Sequence, residues 1–287
     1  MSLSAKKVRI FMFSLRTILC QLGALFAGVV HAADPSARLY INYSRNPSPQ
    51  DLLACELSIL DPHAKADLKP GHDRGHRFLA YLSLVELAKG SLPEVEAVNR
   101  GVPFLAANDH WESHVMDVTS SQWNHFMLDD VAAPAIAKGF DGFFLDTVDA
   151  VSHSVFKDKS GAREAVIQMV RELHQRWPTK PIVVNRGFEL LDALSPLIAG
   201  VLVESVYQSF DPATKSYQTV PEEGTKWVET QIRKAQARKL QVYVVDYVEP
   251  TNQRLADETV QRILKLGCIP LITTPGLEGR IVAPAVR

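Results

Sequence analysis

The 287-residue chain contains no CxxC, HExxH or GxxxxGK(S/T) pattern, so the common zinc and phosphate-loop chemistries have no foothold in it. Cysteine is scarce, with only Cys20, Cys55 and Cys268. Cys55 and Cys268 sit in apolar, strand-like runs where a small buried thiol is the expected state; a disulfide between them is the alternative if the protein is exported to an oxidising compartment. Neither sign of charge dominates: the formal net charge is −1, which leaves no basic excess for nucleic acid and no acidic tail, so partners must be inferred from sites. Internal repeats, low-complexity tracts and Gly/Ser linkers are also missing. A single domain is expected, and 46% hydrophobic residues supply a sizeable core.

The N-terminus has the order of a secretory signal peptide: basic Lys6, Lys7 and Arg9, an apolar run broken by Arg16, then small residues. Val30, His31 and Ala32 give the small-any-small pattern of a cleavage site, so residues 1–32 are expected to be removed, leaving 33–287 as the domain, periplasmic or secreted, without stable membrane insertion. A retained N-terminal anchor is the alternative that the length of the apolar run allows. A lipoprotein reading is weaker, because Cys20 follows bulky Leu19 where a small residue is needed.

Eight nearly continuous apolar runs follow: 38–43, 53–60, 77–84, 140–146, 181–187, 199–205, 241–247 and 268–274. Such runs read as strands buried on both faces of a parallel sheet. Amphipathic segments at 161–177, 225–239 and 256–267 lie between them. Strand and helix alternating to eight predict an α/β fold, a single-domain (β/α)₈ TIM-type barrel; an open doubly wound sheet is the runner-up. Two segments depart from the repeat. Residues 85–139 hold one extra short strand at 114–119, and 206–224 read as a long loop. Long connections at the C-terminal ends of barrel strands are where sites are built.

Side chains alternate along a strand. In GFDGFFLDTVDA (139–150), Gly142, Phe144 and Asp146 therefore share one face, and Asp146 stands at the strand's C-terminal end. Asp141, on the other face at the opposite end, is expected to brace the entrance to the strand. Asp149 lies beyond, either as an N-cap or at the barrel mouth. The same alternation in GVLVES places Glu204 at the end of the sixth strand, on one face with Gly200 and Leu202. Two carboxylic residues at equivalent strand ends are the equipment of glycoside hydrolysis; a structural partner for a mouth Arg or Lys is the plainer reading of either one. Tyr43, Arg45, Tyr81, Ser83, Asn185, Arg186, Tyr207, Asp246 and Tyr247 gather near strand ends, and rings mixed with amides and carboxylates suit a sugar. In GHDRGH (71–76) the two histidines four apart lack a convincing third ligand, so a solvated loop is expected there and no metal or other cofactor.

Taken in order, GFDGFFLDTVDA, AYLSLVE (80–86), the 107–120 region, VVNRG, VLVES and VVDY resemble the barrel hydrolases related to endo-α-1,4-polygalactosaminidase, glycoside hydrolase family 114. They resemble most the sister family 166, which contains the hydrolase domain of the Pel exopolysaccharide system. The resemblance covers essentially the whole chain after residue 32. It implies internal cleavage of an α-1,4-linked, partly deacetylated galactosamine polymer, with Asp146 and Glu204 as the catalytic pair. The mechanism expected is retaining, with Asp146 as nucleophile and Glu204 as general acid and then base. Tyr43, Tyr81, Asp149, Asn185, Arg186, Tyr207, Asp246 and Tyr247 would contact substrate, Asp149 and Asp246 meeting its ammonium groups. The rival is a non-catalytic carbohydrate-binding barrel. Metal-assisted deacetylation or phosphoester hydrolysis would need histidine at a strand end, and none of the eight carries one.

Overall fold

A computed structural model describes residues 37–277 apart from 110, 111, 153 and 158; the signal-peptide expectation lies outside the described residues. Eight parallel strands form one sheet in sequence order: β1 (Ala37–Asn42), β2 (Cys55–Leu60), β3 (Arg77–Ser83), β4 (Gly142–Asp146), β5 (Ile182–Asn185), β6 (Gly200–Glu204), β7 (Gln241–Tyr247) and β8 (Ile269–Thr273). The two outermost strands, β1 and β8, lie side by side and nearly close the sheet into the expected barrel.

The two faces of the strands build two separate cores. Leu39, Ile41, Ile59, Leu79, Tyr81, Phe144, Val183, Leu202, Val245 and Leu271 pack together inside the barrel. Their neighbours Phe143, Leu145, Val184, Val201, Val203, Val242 and Val244 face outward into the larger core shared with the helices. The lowest inward positions of β4 and β6 are glycines for lack of room. A Cβ on Gly142 would stand 2.1 Å from the Pro181 carbonyl oxygen, and one on Gly200 would stand 2.7 Å from that of Gln241.

The helices take their places from spacing. Helix α1 (Ala162–Arg176) buries Ala162, Val166, Met169, Val170 and Leu173, and α2 (Glu222–Ala237) buries Val228, Gln231, Ile232 and Ala235. Helix α3 (Gln253–Lys265) buries Ala256, Thr259, Val260 and Ile263, and is capped by Asn252, whose side chain accepts from the Leu255 N–H. All three follow the i, i+3, i+4 stripe of a helix packed on a core. Cys55 and Cys268 are both buried thiols, not a disulfide. Among the described residues no helix is long and apolar enough to cross a membrane.

Three local expectations are corrected. Segment 85–139 carries three extra strands, not one: Glu86–Ala88, Phe104–Asn108 and Ser113–Met116 form an antiparallel sheet with the last in the middle. The long loop at 206–224 is instead a hairpin of Gln208–Asp211 against Ser216–Thr219, followed by the first residues of α2. GHDRGH is a solvated turn only at Asp73, Arg74 and Gly75: Gly71 and His72 end a helical turn, and a Cβ on buried Gly71 would meet the Phe78 ring at 2.4 Å. His72 Nε2 lies 2.9 Å from the Asp141 carboxylate.

Candidate active site

At the C-terminal end of the barrel the inward faces turn from apolar to polar. Tyr43 follows β1, Asp146 ends β4, Asn185 ends β5, Glu204 ends β6 and Tyr247 ends β7. Each continues the inward alternation of its strand, so the strand period itself delivers these five side chains, with Tyr81 one step lower on β3, to one place.

Asp146 is 2% exposed and Glu204 1%. The Asp146 carboxylate accepts from Tyr81 Oη at 2.6 Å, from its neighbour's N–H on Thr147 at 2.8 Å and from Asn185 Nδ2 at 2.9 Å. Glu204 accepts from Tyr247 Oη at 2.8 Å and from the same Asn185 Nδ2 at 3.4 Å. One amide nitrogen thus spans both carboxyl groups. Because both lie within reach of that one nitrogen, at 2.9 and 3.4 Å, the bonded oxygens of Asp146 and Glu204 stand no more than about 6.3 Å apart. Burial, and after it the neighbouring Asp146 charge, pushes the Glu204 carboxyl up to about 8, against the opposing pull of the Tyr247 hydroxyl, Arg186 and Asn185.

Two buried polar atoms here, the Tyr43 hydroxyl and Asn185 Oδ1, have no hydrogen-bond partner among the described residues. The Asn185 amide cannot be turned to satisfy its oxygen, because its nitrogen is needed by two carboxyl groups. The Tyr43 phenol is held well above its ordinary value by burial and by the nearby Tyr81, Asp146, Glu204 and Tyr247, so it stays a neutral donor.

Other expected residues are placed around this centre. Buried Arg186 donates through Nη1 to the Glu204 backbone carbonyl, and its guanidinium lies 5.7 Å from the Phe188 ring and 5.9 Å from the Trp227 ring. Asp149 stands partly exposed in the one-turn helix Val148–Ser152 rather than capping a longer one. Burial, then the Glu189 charge, raises its carboxyl to about 7, with Arg186 opposing. Asp141 braces the strand entrance as expected, although on the neighbouring strand: its carboxylate accepts the Phe78 N–H at 2.9 Å.

Two expected contacts do not reach the mouth. Asp246 is outward on β7, 0% exposed, and accepts the backbone N–H groups of Val206, Tyr207 and Gln208 at 2.6, 2.8 and 2.9 Å. Its role in this position is to hold the loop after β6; burial raises its carboxyl to about 6 while those three N–H groups pull it down. Tyr207 is buried in the outer core, donating to Glu229 at 3.1 Å beneath the Arg262 guanidinium, 3.6 Å from its ring.

Thr147 is a contributor that the sequence reasoning passed over. It has φ of 61°, a conformation costly for a β-branched residue. That turn aims its N–H at Asp146 while its hydroxyl bonds Ser83 Oγ at 3.0 Å and accepts the Val85 N–H at 2.9 Å. The only signal for it was its place directly after Asp146. Among the described residues no group of three or more His, Cys, Asp or Glu is arranged to hold a metal ion.

Comparison with known proteins agrees with the barrel fold. The model of glycoside-hydrolase family GH114 matches residues 31–285. The glycoside hydrolase domain of PelA from Pseudomonas aeruginosa superposes with a TM-score of 0.75 at 26% identity, over 84% of this chain and 96% of that one. Aspergillus fumigatus Ega3, crystallised in complex with galactosamine, superposes with a TM-score of 0.62 at 13% identity, over 88% of this chain and 97% of that one. No curated protein matches the chain by sequence.

Proposed function

The chain belongs to glycoside-hydrolase family GH114, and from that premise we propose that it cleaves an α-1,4-linked, partly deacetylated galactosamine polymer internally, with retention of configuration. The observation that carries the proposal is the shared Asn185 amide, which holds Asp146 and Glu204 as a close pair at the barrel mouth. A separation of no more than about 6.3 Å is compatible with retaining enzymes, at about 5 to 5.5 Å, and falls short of the roughly 6.5 to 9.5 Å that leaves room for an inverting water. The substrate class rests on the resemblance of GFDGFFLDTVDA and VLVES to the polygalactosaminidases, and the galactosamine-bound fungal neighbour is in keeping with it.

Asp146, fixed by three donors, attacks the anomeric carbon as Glu204 gives its proton to the departing glycosidic oxygen. A glycosyl ester on Asp146 results. Glu204, now ionised, takes a proton from water as that water attacks the same carbon, and the Asp146 carboxylate is released. A carboxyl raised to about 8 still holds its proton at neutral pH, as the first step requires. Tyr43, Tyr81, Asn185 and Tyr247 position the pair and meet the sugar, Arg186 supports Glu204 from its backbone side, and Asp149 offers the rim a carboxylate for an ammonium group. Export to the periplasm or beyond, after loss of residues 1–32, belongs to the same reading.

The test is mass spectrometry of products from wild type, Asp146→Ala and Glu204→Ala acting on partly deacetylated α-1,4-galactosamine polymer, with NMR of the first anomer formed. Shorter oligomers from wild type alone, of retained configuration, are expected. Equal products from all three proteins would refute the assignment of the pair, an inverted first product would refute the nucleophile, and no products from any would leave the carbohydrate-binding barrel as the better reading.

A further inference from the structure

The hairpin at 208–219 is not needed to complete the barrel, yet it is rooted beside the proposed acid. Its root is the segment Val206, Tyr207 and Gln208, all three N–H groups of which are bound by Asp246. The next residue along β7, Tyr247, faces the other way and donates to Glu204. One dipeptide on β7 therefore fixes both the general acid and the base of the hairpin. The hairpin also leaves the C-terminal end of the strand that carries Glu204, which puts it at the mouth of the barrel.

Its two strands, Gln208–Asp211 and Ser216–Thr219, pair Phe210 directly with Tyr217. The two rings meet edge to face, with centroids 5.2 Å apart, and both stay partly exposed while packing on the cluster inside the barrel. Glu249, on the loop after β7, is near enough for its charge to act on the Tyr217 phenol. Two partly exposed rings with a carboxylate close by suit one chemistry in particular: an amino sugar, whose apolar face stacks on a ring and whose ammonium group favours an aromatic face and a negative charge.

We propose that this hairpin forms the leaving-group subsite, in which Phe210 and Tyr217 receive the amino sugar that departs from Glu204. The side follows from the chemistry, since a general acid must stand against the oxygen of the departing sugar, and the hairpin leaves the strand end that carries the acid. The inference rests on the proposed galactosamine hydrolysis and deepens it, by naming the residues that let the enzyme cut inside a chain.

The test compares two substrates on wild type, Phe210→Leu and Tyr217→Leu, the leucines keeping apolar cover while removing the rings. One substrate is partly deacetylated α-1,4-galactosamine polymer; the other is a short α-galactosamine oligomer carrying fluoride at its anomeric end, which fills only the other side of the cleavage point. Each variant is expected to lose about tenfold in kcat/KM on polymer, mainly through KM, and no more than about twofold on the fluoride. Equal losses on both substrates would mean that the rings act through folding or on the other side of the cleavage point, and would overturn the subsite, as would no loss on either; a loss on polymer confined to kcat would mean that they act through Glu204, whose proton the fluoride does not need, and would overturn it as well. If wild type hydrolyses neither substrate, the proposed function falls first and the hairpin inference falls with it.

Discussion

Replacing Glu204 by Gln should remove activity and, at alkaline pH, stabilise the fold. The wild-type carboxyl has an ordinary value of 4.5 and is raised to about 8 by burial and by the adjacent Asp146 charge. Between those values the folded protein keeps a proton that the unfolded chain gives up. Stability supplied by this group is thus fully present below about 4.5 and is lost as pH rises through about 8. At about 1.4 kcal/mol per tenfold change, the loss between pH 5 and pH 9 is on the order of 4 kcal/mol. A glutamine has no proton to lose, so the stability of Glu204→Gln relative to wild type should climb by about that amount across the interval. At pH 5 the variant should be level with wild type or up to about 1 kcal/mol worse, because its amide nitrogen can face the Asn185 nitrogen, donor against donor. Urea unfolding of both proteins at each pH measures the difference and largely cancels other titrating carboxyls such as Asp149 and Asp246. Parallel stability curves for the two proteins would refute the reasoning, and with it the case for Glu204 as a proton-holding acid at neutral pH.

Two further outcomes follow from the same contacts. Asp246→Ala leaves the Val206, Tyr207 and Gln208 amides without their acceptor and should cost about 3 kcal/mol or more in urea unfolding; a cost below about 1 kcal/mol would remove its bracing role. Tyr247→Phe deletes a donor that favours ionised Glu204, so the alkaline limb of the kcat profile, where the acid loses its proton, should move to higher pH. An unmoved or lowered limb would show that this hydroxyl does not control Glu204 during turnover.

The candidate pair was legible because both members sit on strands whose period of two is enforced by a filled barrel interior. Phe144 and Leu202 must point inward to make that core, and Asp146 and Glu204, two residues further along each strand, inherit their direction. The same arithmetic on β7 separates Tyr247, inward with Val245, from Asp246, outward with Val244. A carboxylate at a strand end therefore tells little until its parity is counted, because loop bracing and substrate binding both select an acidic residue there. Past the strand ends no period survives. Tyr207 turns outward and Thr147 takes a left-handed conformation for reasons that lie in partners distant along the chain, Glu229 for one and Ser83 and Val85 for the other. The hairpin escaped for a related reason: its strands are short and rich in polar residues, and what holds them is Asp246, about forty residues away. Residues proposed to perform the chemistry ride on periodic elements, whereas those proposed to shape access to it depend on long-range contacts. A sequence of this kind accordingly reveals the proposed reaction before it reveals how the polymer is held.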